Sequence, residues 1–217
     1  KCGTLSLAGS FSFYYGHHMT TVEGGMVCTN EDKLADLMRA KRSHGFLRET
    51  VSIDREKYMK KFPSLDEKFT FITDGYNFRS SDLNAVLGIS QLSRLDHNIK
   101  KRRENFRKFL DIITPFGVFF TDFKLEGNSN FSLPFICKDS NLKKSLELYL
   151  NGFGFETRGI ISGNLLRQPF LSSLNVNPKN FINSEYIHNN GFYIGNNHLI
   201  NNDDFLFLNT KLQNYFN

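Results

Sequence analysis

The longest helical pattern in the chain lies in its middle and divides everything else. In SSDLNAVLGISQLSRLDHNIKKRRENFRKFLDII (residues 80–113), Leu83, Val86, Leu87, Ser90, Leu92 and Leu95 recur at three- and four-residue spacing. Ser80 or Ser81 can cap its start, and Pro115 and Gly117 break it. The pattern predicts one helix over 80–113. That is long for a globular element, so the helix is expected to bridge two lobes. With 217 residues, the chain has room for one large domain or two small ones.

The wording differs on the two sides of this helix. Upstream, GGMVCTN (24–30) reads as a short buried strand opened by glycines. NEDKLADLMRAKRSHG (30–45) reads as a helix with Asn30 as N-cap, Leu34, Leu37 and Met38 as its stripe, and Gly45 as its stop. Residues 46–74 read as irregular and charged. Downstream, VFFTDF (118–123), NFSLPFIC (130–137) and FETRGII (155–161) read as strands. Helices are expected over 139–154, over 184–190, and over 202–217 with Asp203 or Asp204 at its start. This alternation predicts an α/β or α+β second lobe, with domains at 1–98 and 99–217.

Hydrophobic residues make up 40% and charged residues 23%, an ordinary soluble balance. No stretch approaches the roughly 18 apolar residues of a membrane helix, so no membrane partner is expected. The opening KCGTLSLAGS lacks the apolar core of a signal peptide. The chain starts at Lys1, a few residues before what reads as a site, and an upstream segment is expected. Cys2, Cys28 and Cys137 are far apart and form no CxxC pair. Neither a disulfide framework nor a metal site is expected, and a cytoplasmic setting fits. The net charge is +5, and much of it sits in HNIKKRRENFRK (97–108). With no accompanying nucleic-acid signature, that run reads as a solvated helix face. The 23 phenylalanines carry no functional reading.

Four stretches mix Gly, Asn, Arg, His and Ser at element ends, where sites are usually built. They are SFYYGHHMTTVEGGM (12–26), RSHGFLR (42–48), DGYNFRSSDLNAVLGISQLSRLD (74–96) and ETRGIISGNLLRQPF (156–170). In this order they resemble the DegT/DnrJ/EryC1/StrS sugar aminotransferases, which use pyridoxal 5′-phosphate (PLP). The match is closest over residues 1–100. The resemblance implies an α/β fold, the aspartate-aminotransferase type I fold, with this chain covering the end of the PLP-binding large domain and the small C-terminal domain.

One position departs from the family. Its cofactor-binding lysine falls on His17, five residues after Ser12 and six before Glu23. Lysine holds PLP covalently and shuttles the proton that completes transamination. Imidazole cannot hold it so, yet serves as acid and base near neutral pH, with an ordinary pKa of about 6.5. Histidine in this slot marks the family's dehydratase branch. Some members there carry an iron–sulfur cluster on cysteines between the SHG and GYN regions. Here no cysteine lies between Cys28 and Cys137, so no cluster is expected.

The resemblance thus implies removal of the C3 hydroxyl from a nucleotide-linked 4-keto-6-deoxyhexose such as GDP-4-keto-6-deoxymannose. The cofactor cycles between PLP and pyridoxamine 5′-phosphate, with L-glutamate as amino donor. His17 is the expected base. Ser12 is expected on the cofactor phosphate, and Asn77 on the cofactor phosphate of a neighbouring subunit, in a homodimer with shared sites. His44 and Arg48, also from the neighbour, are expected to bind glutamate or the sugar nucleotide, and Arg158 and Arg167 the diphosphate. Glu23 is expected to fix the turn before Gly24, and His188 and His198 to be surface residues. The family's acidic partner of the pyridine nitrogen, its stacking aromatic and its glycine-rich phosphate turn precede the serine motif and have no counterpart here. Two other readings stay open: an aminotransferase, and an inactive dimerisation scaffold.

Overall fold

The computed structural model describes residues 1–217, which divide into two units, Lys1–Leu95 and Asp96–Asn217. In the first, β1 (Gly9–Ser12) pairs antiparallel with β2 (Gly25–Cys28), with Ser12 opposite Gly25. Helix α1 (Asp32–Arg42) follows. Asn30 is not its cap. Thr29 Oγ1 accepts the Glu31 N–H at 3.1 Å, so the entry turn closes on the threonine and Glu31 takes the cap position. Gly45 does close the helix, donating to Ala40 O at 2.7 Å with a left-handed φ of 88° that glycine tolerates. Residues 46–74 are mostly irregular, with a short helix α2 (Arg55–Met59).

The predicted 80–113 helix is two helices, α3 (Asp82–Leu92) and α4 (Leu95–Ile113). The break has a local cause. Ser93 Oγ and Arg94 Nε both donate to Ser90 O, at 2.9 and 3.3 Å, and Arg94 N tightens onto Gln91 O. Side-chain donors thereby take over a carbonyl that a continuous helix would use. Ser81 caps α3 in a reciprocal capping box with Asn84.

The second unit holds a three-stranded sheet in the order β3-β5-β4, built from β3 (Ser132–Ile136), β4 (Thr157–Gly159) and β5 (Gly191–Gly195). Every pairing in it is antiparallel, so this unit is α+β in character. Its central strand, GFYIG, is not among the strands expected from the sequence pattern. Residues 118–123 contribute a single bridge, Phe119 to Cys137, instead of a strand. The chain turns away where Phe123 N donates to Thr121 O. Pro134 is tolerated because β3 is an edge strand.

Helices α5 (Ser140–Gly152), α6 (Ile182–Asn190) and α7 (Asn202–Phe216) complete this unit. Asp139 caps α5. The cap of α7 is Asn201, with Asp204 answering from the third position, and not Asp203 or Asp204 themselves. Buried phenylalanines join leucines and isoleucines in the core of this unit. Phe135 stacks on Phe192 at 4.9 Å and meets Phe109 and Phe119 edge-on at 4.9 and 5.5 Å. Cys137 is buried beside them, and burial pushes its thiol up to about 12, so it is inert. No helix is long and apolar enough to cross a membrane.

Candidate active site

The β1–β2 hairpin carries the segment from Ser12 to Gly25. Phe13 fixes both feet of the connecting loop. Its N–H donates to Gly24 O at 2.9 Å, and its carbonyl accepts Thr21 N at 2.9 Å and Thr20 Oγ1 at 3.3 Å. Residues 14–20 are thus closed into a loop that displays His17 to solvent, while His18 is half-buried. His17 donates its N–H to Tyr14 O at 3.1 Å, and its ring stands edge-on to Tyr14 at 5.8 Å. Ser12, exposed at the strand end, accepts Tyr14 N at 3.3 Å through Oγ, which leaves its own proton to donate.

The bend that ends this loop is tight and strained. Val22 has φ of 73°, a left-handed conformation costly for a β-branched residue. Thr21 is buried and donates through Oγ1 to Glu23 O at 2.9 Å. Glu23 fixes the turn through this carbonyl. A Cβ at Gly24 would strike Thr21 Oγ1. Asn84, from the first turn of α3, donates through Nδ2 to Thr21 O at 2.9 Å and Glu23 O at 3.1 Å.

His44 and Asn77 are brought together elsewhere in this unit. Ser43 and Asn77 form an antiparallel bridge, and His44 N donates to Tyr76 O at 2.7 Å. A side chain on Gly75 would collide with the His44 backbone, so the two strands approach as only glycine permits. Both His44 and Asn77 side chains are exposed. Arg48 lies next to them: its guanidinium sits 4.0 Å over the Phe46 ring and donates to Lys68 O at 3.0 Å, and the His44 ring meets Phe46 at 5.6 Å. The loop bearing Arg48 is stapled to α1 by Asp36. That buried carboxylate accepts Val51 N and Ser52 N, both at 2.8 Å, and Ser52 Oγ at 2.5 Å. These hydrogen bonds outweigh its burial and hold its pKa at about 2. The hairpin loop and the 43–48 segment rest on separate sets of contacts.

Arg158 and Arg167 belong to the second unit, and each already has a carboxylate. Arg158, on β4, donates to Glu156 Oε1 from Nε at 3.0 Å and Nη2 at 2.5 Å. Arg167 forks onto both oxygens of Glu185, which it holds at a pKa of about 2. Asn164, buried, ties this pair down by donating to Glu185 Oε2 at 3.0 Å and Pro178 O at 3.1 Å. His188 is less open than the surface position expected of it. It is half-buried, and its Nδ1 accepts Asn164 N at 3.3 Å. His198 is exposed.

The sequence matches the DegT/DnrJ/EryC1/StrS aminotransferase family over residues 1–208. The chain belongs to that family. It is 32% identical over 201 residues to GDP-4-keto-6-deoxy-D-mannose 3-dehydratase of Escherichia coli O55:H7, a match covering 90% of this chain and 52% of that protein. The Yersinia pseudotuberculosis enzyme of the same name is 29% identical over all of this chain and 54% of its own length. A crystal structure of GDP-4-keto-6-deoxymannose-3-dehydratase, described as holding a trapped PLP–glutamate geminal diamine, superposes with a TM-score of 0.84 at 30% identity, covering 98% of this chain and 56% of that one. The fold is therefore the aminotransferase fold that the motifs imply. The chain spans about half the length of the curated relatives it matches.

Three supporting residues escaped the reading of the sequence. Asn84 had a signal, since it stands three residues after a capping serine, where a reciprocating side chain belongs. Asn164 lies in a glycine-flanked turn, a weak signal. Asp36 sits mid-helix and had none, because its partners lie 15 and 16 residues further along.

Proposed function

We propose that this chain serves a PLP-dependent 3-dehydratase acting on a nucleotide-linked 4-keto-6-deoxyhexose. The substrate is GDP-4-keto-6-deoxymannose and the amino donor is L-glutamate, in the making of dideoxysugars for lipopolysaccharide O-antigen. The observation that carries this reading is His17, an exposed imidazole on a closed hairpin loop where the family keeps lysine. The names of the similar enzymes, and the glutamate adduct described in one of them, support it.

The residues present suit such a cofactor held without a covalent bond. No lysine lies between residues 2 and 32. Ser12 has a hydroxyl proton to give to a phosphate oxygen, and glycine stands opposite it on β2, where a Cβ would crowd Phe11 O at 3.0 Å. When bound, the cofactor supplies an amine carrier and an electron sink. His17 takes up a proton and delivers one to the C3 hydroxyl oxygen as it departs. Because imidazole cannot attach the cofactor, it does not lead the sugar on to a stable amine. Across the cycle the C3 hydroxyl leaves as water, glutamate is the two-electron reductant and becomes 2-oxoglutarate with its keto oxygen taken from water, and the nitrogen leaves as ammonia.

Asn77, His44 and Arg48 act on the site of a second subunit, a role supported by their exposure on one pair of adjoining segments. Arg48 suits a carboxylate or phosphate by its fork. Arg158 and Arg167 meet the nucleotide diphosphate, sharing their guanidinium protons with Glu156 and Glu185. The thiols of Cys2 and Cys28, exposed and unpaired, support a cytoplasmic setting.

The test is mass analysis of the product formed from GDP-4-keto-6-deoxymannose and glutamate by the full protein. A 4-keto-3,6-dideoxy sugar supports the reading; a 4-amino sugar as main product overturns it in favour of transamination. His17→Lys should abolish the dehydration.

A further inference from the structure

We infer that Asn84 is a positioning residue for His17, acting through the bend at residues 21–23. The inference rests on the reading of His17 as the proton carrier.

Every hydrogen-bonding position of the Asn84 amide is used. Oδ1 accepts the Ser81 N–H at 3.2 Å and the Ser81 hydroxyl at 2.6 Å. The two Nδ2 protons go to Thr21 O at 2.9 Å and Glu23 O at 3.1 Å, 63 and 61 residues away in sequence. One half of the amide caps α3, and the other half grips the bend. The two gripped carbonyls flank Val22, whose left-handed φ of 73° needs outside support to persist. The helix also approaches closely one turn on, where a Cβ at Gly88 would lie 3.3 Å from Thr21 Cγ2.

The same bend is one foot of the His17 loop. Thr21 N donates to Phe13 O, and Val22 N to Thr20 Oγ1 at 3.0 Å. Fixing Thr21 against α3 therefore fixes where residues 14–20 stand. His17 itself is exposed and its ring makes one edge contact, with Tyr14, so its placement depends on the backbone beneath it. Proton transfer needs heavy atoms within hydrogen-bond reach, and a displacement of an ångström is costly.

Asn84→Asp separates the two halves of the amide. It keeps an oxygen for Ser81, so α3 retains its cap, but it sets a second oxygen against two carbonyls. In the full protein, amide exchange at Thr21 and Val22 should quicken by roughly tenfold as the bend opens. The kcat for dehydration should fall between about 10- and 100-fold, while KM for sugar nucleotide and for glutamate stays within about twofold. Asn84→Gln, which retains the NH2 group, should recover most of both losses. Unchanged exchange, or a loss carried by KM, overturns the inference. His17→Asn separates the two readings. If it retains full activity, the catalytic reading of His17 fails and takes the inference with it. If it is inactive while Asn84→Asp exchanges and turns over like the parent, only the inference about Asn84 fails.

Discussion

In the unit Asp96–Asn217, Phe109, Phe135 and Phe192 are fully buried and pack ring against ring, with Leu146, Leu150, Leu208 and Leu212 around them. In Lys1–Leu95 the buried apolar side chains are Ala40, Phe46 and Leu47, and α3 buries none at all. What holds the first unit's loops is polar. Asp36 grips residues 51 and 52, Asn84 grips residues 21 and 23, and Gly45, Leu47 and His44 are threaded onto residues 70–76 by backbone bonds. The second unit is stabilised by non-directional apolar burial, which tolerates small shifts. The first is stabilised by directional bonds, which fix atoms in place. Exposed candidate residues such as Ser12, His17, His44 and Asn77 all stand on the directional scaffold, the kind that suits chemistry better than bulk stability.

The largest effect should come from the aromatic core. Phe135→Ala removes a ring with no exposed surface that touches three others, and should cost the second unit about 3–5 kcal/mol. Urea unfolding followed by circular dichroism reads this directly. A loss below about 1 kcal/mol would erase the contrast between the units.

A smaller and local effect should follow loss of the Asp36 staple. Asp36→Asn leaves two backbone N–H groups with a poorer acceptor and should cost about 1–3 kcal/mol, seen as faster amide exchange at Val51 and Ser52. The parent carries a pH signature. With its pKa held at about 2 against an ordinary 3.8, Asp36 stabilises the fold fully above pH 4. The unfolded chain binds the proton first, so about 2 kcal/mol is lost as pH falls from 4 to 2. Asp36→Asn should flatten that slope. An unchanged acid limb would show the staple to be idle.

The same contrast explains what could be read without a structure. The cap at Ser81 and the stop at Gly45 are local patterns, complete within one or two turns. The family wording around residues 12–26 and 74–96 is contiguous, and so was legible too. β5 was not. Its five residues are bracketed by glycines, and only pairing on both sides makes them the centre of a sheet. The break at Ser93 was hidden because a serine that caps and one that competes with the ladder look alike in a sequence. Around His17 the loop's composition could be read. Its support could not, since Asn84 reaches it from 63 residues away and the capping box explains only half of that side chain.

The smallest effect sharpens the comparison most. Leu83, Val86, Ile89 and Leu92 repeat with the regularity of a core stripe, yet on α3 they are between 60% and 78% exposed. A periodic apolar stripe signals contact, without saying whether the contact is internal. Leu83→Gln should therefore change the stability of residues 1–217 by less than about 0.5 kcal/mol, because the side chain loses little buried surface. Leu146→Ala, equally apolar in sequence but fully buried, should cost about 2–5 kcal/mol. The paired thermal melts test whether burial or hydrophobicity governs the outcome. If Leu83→Gln cost about 2 kcal/mol or more, the α3 face would be covered in solution.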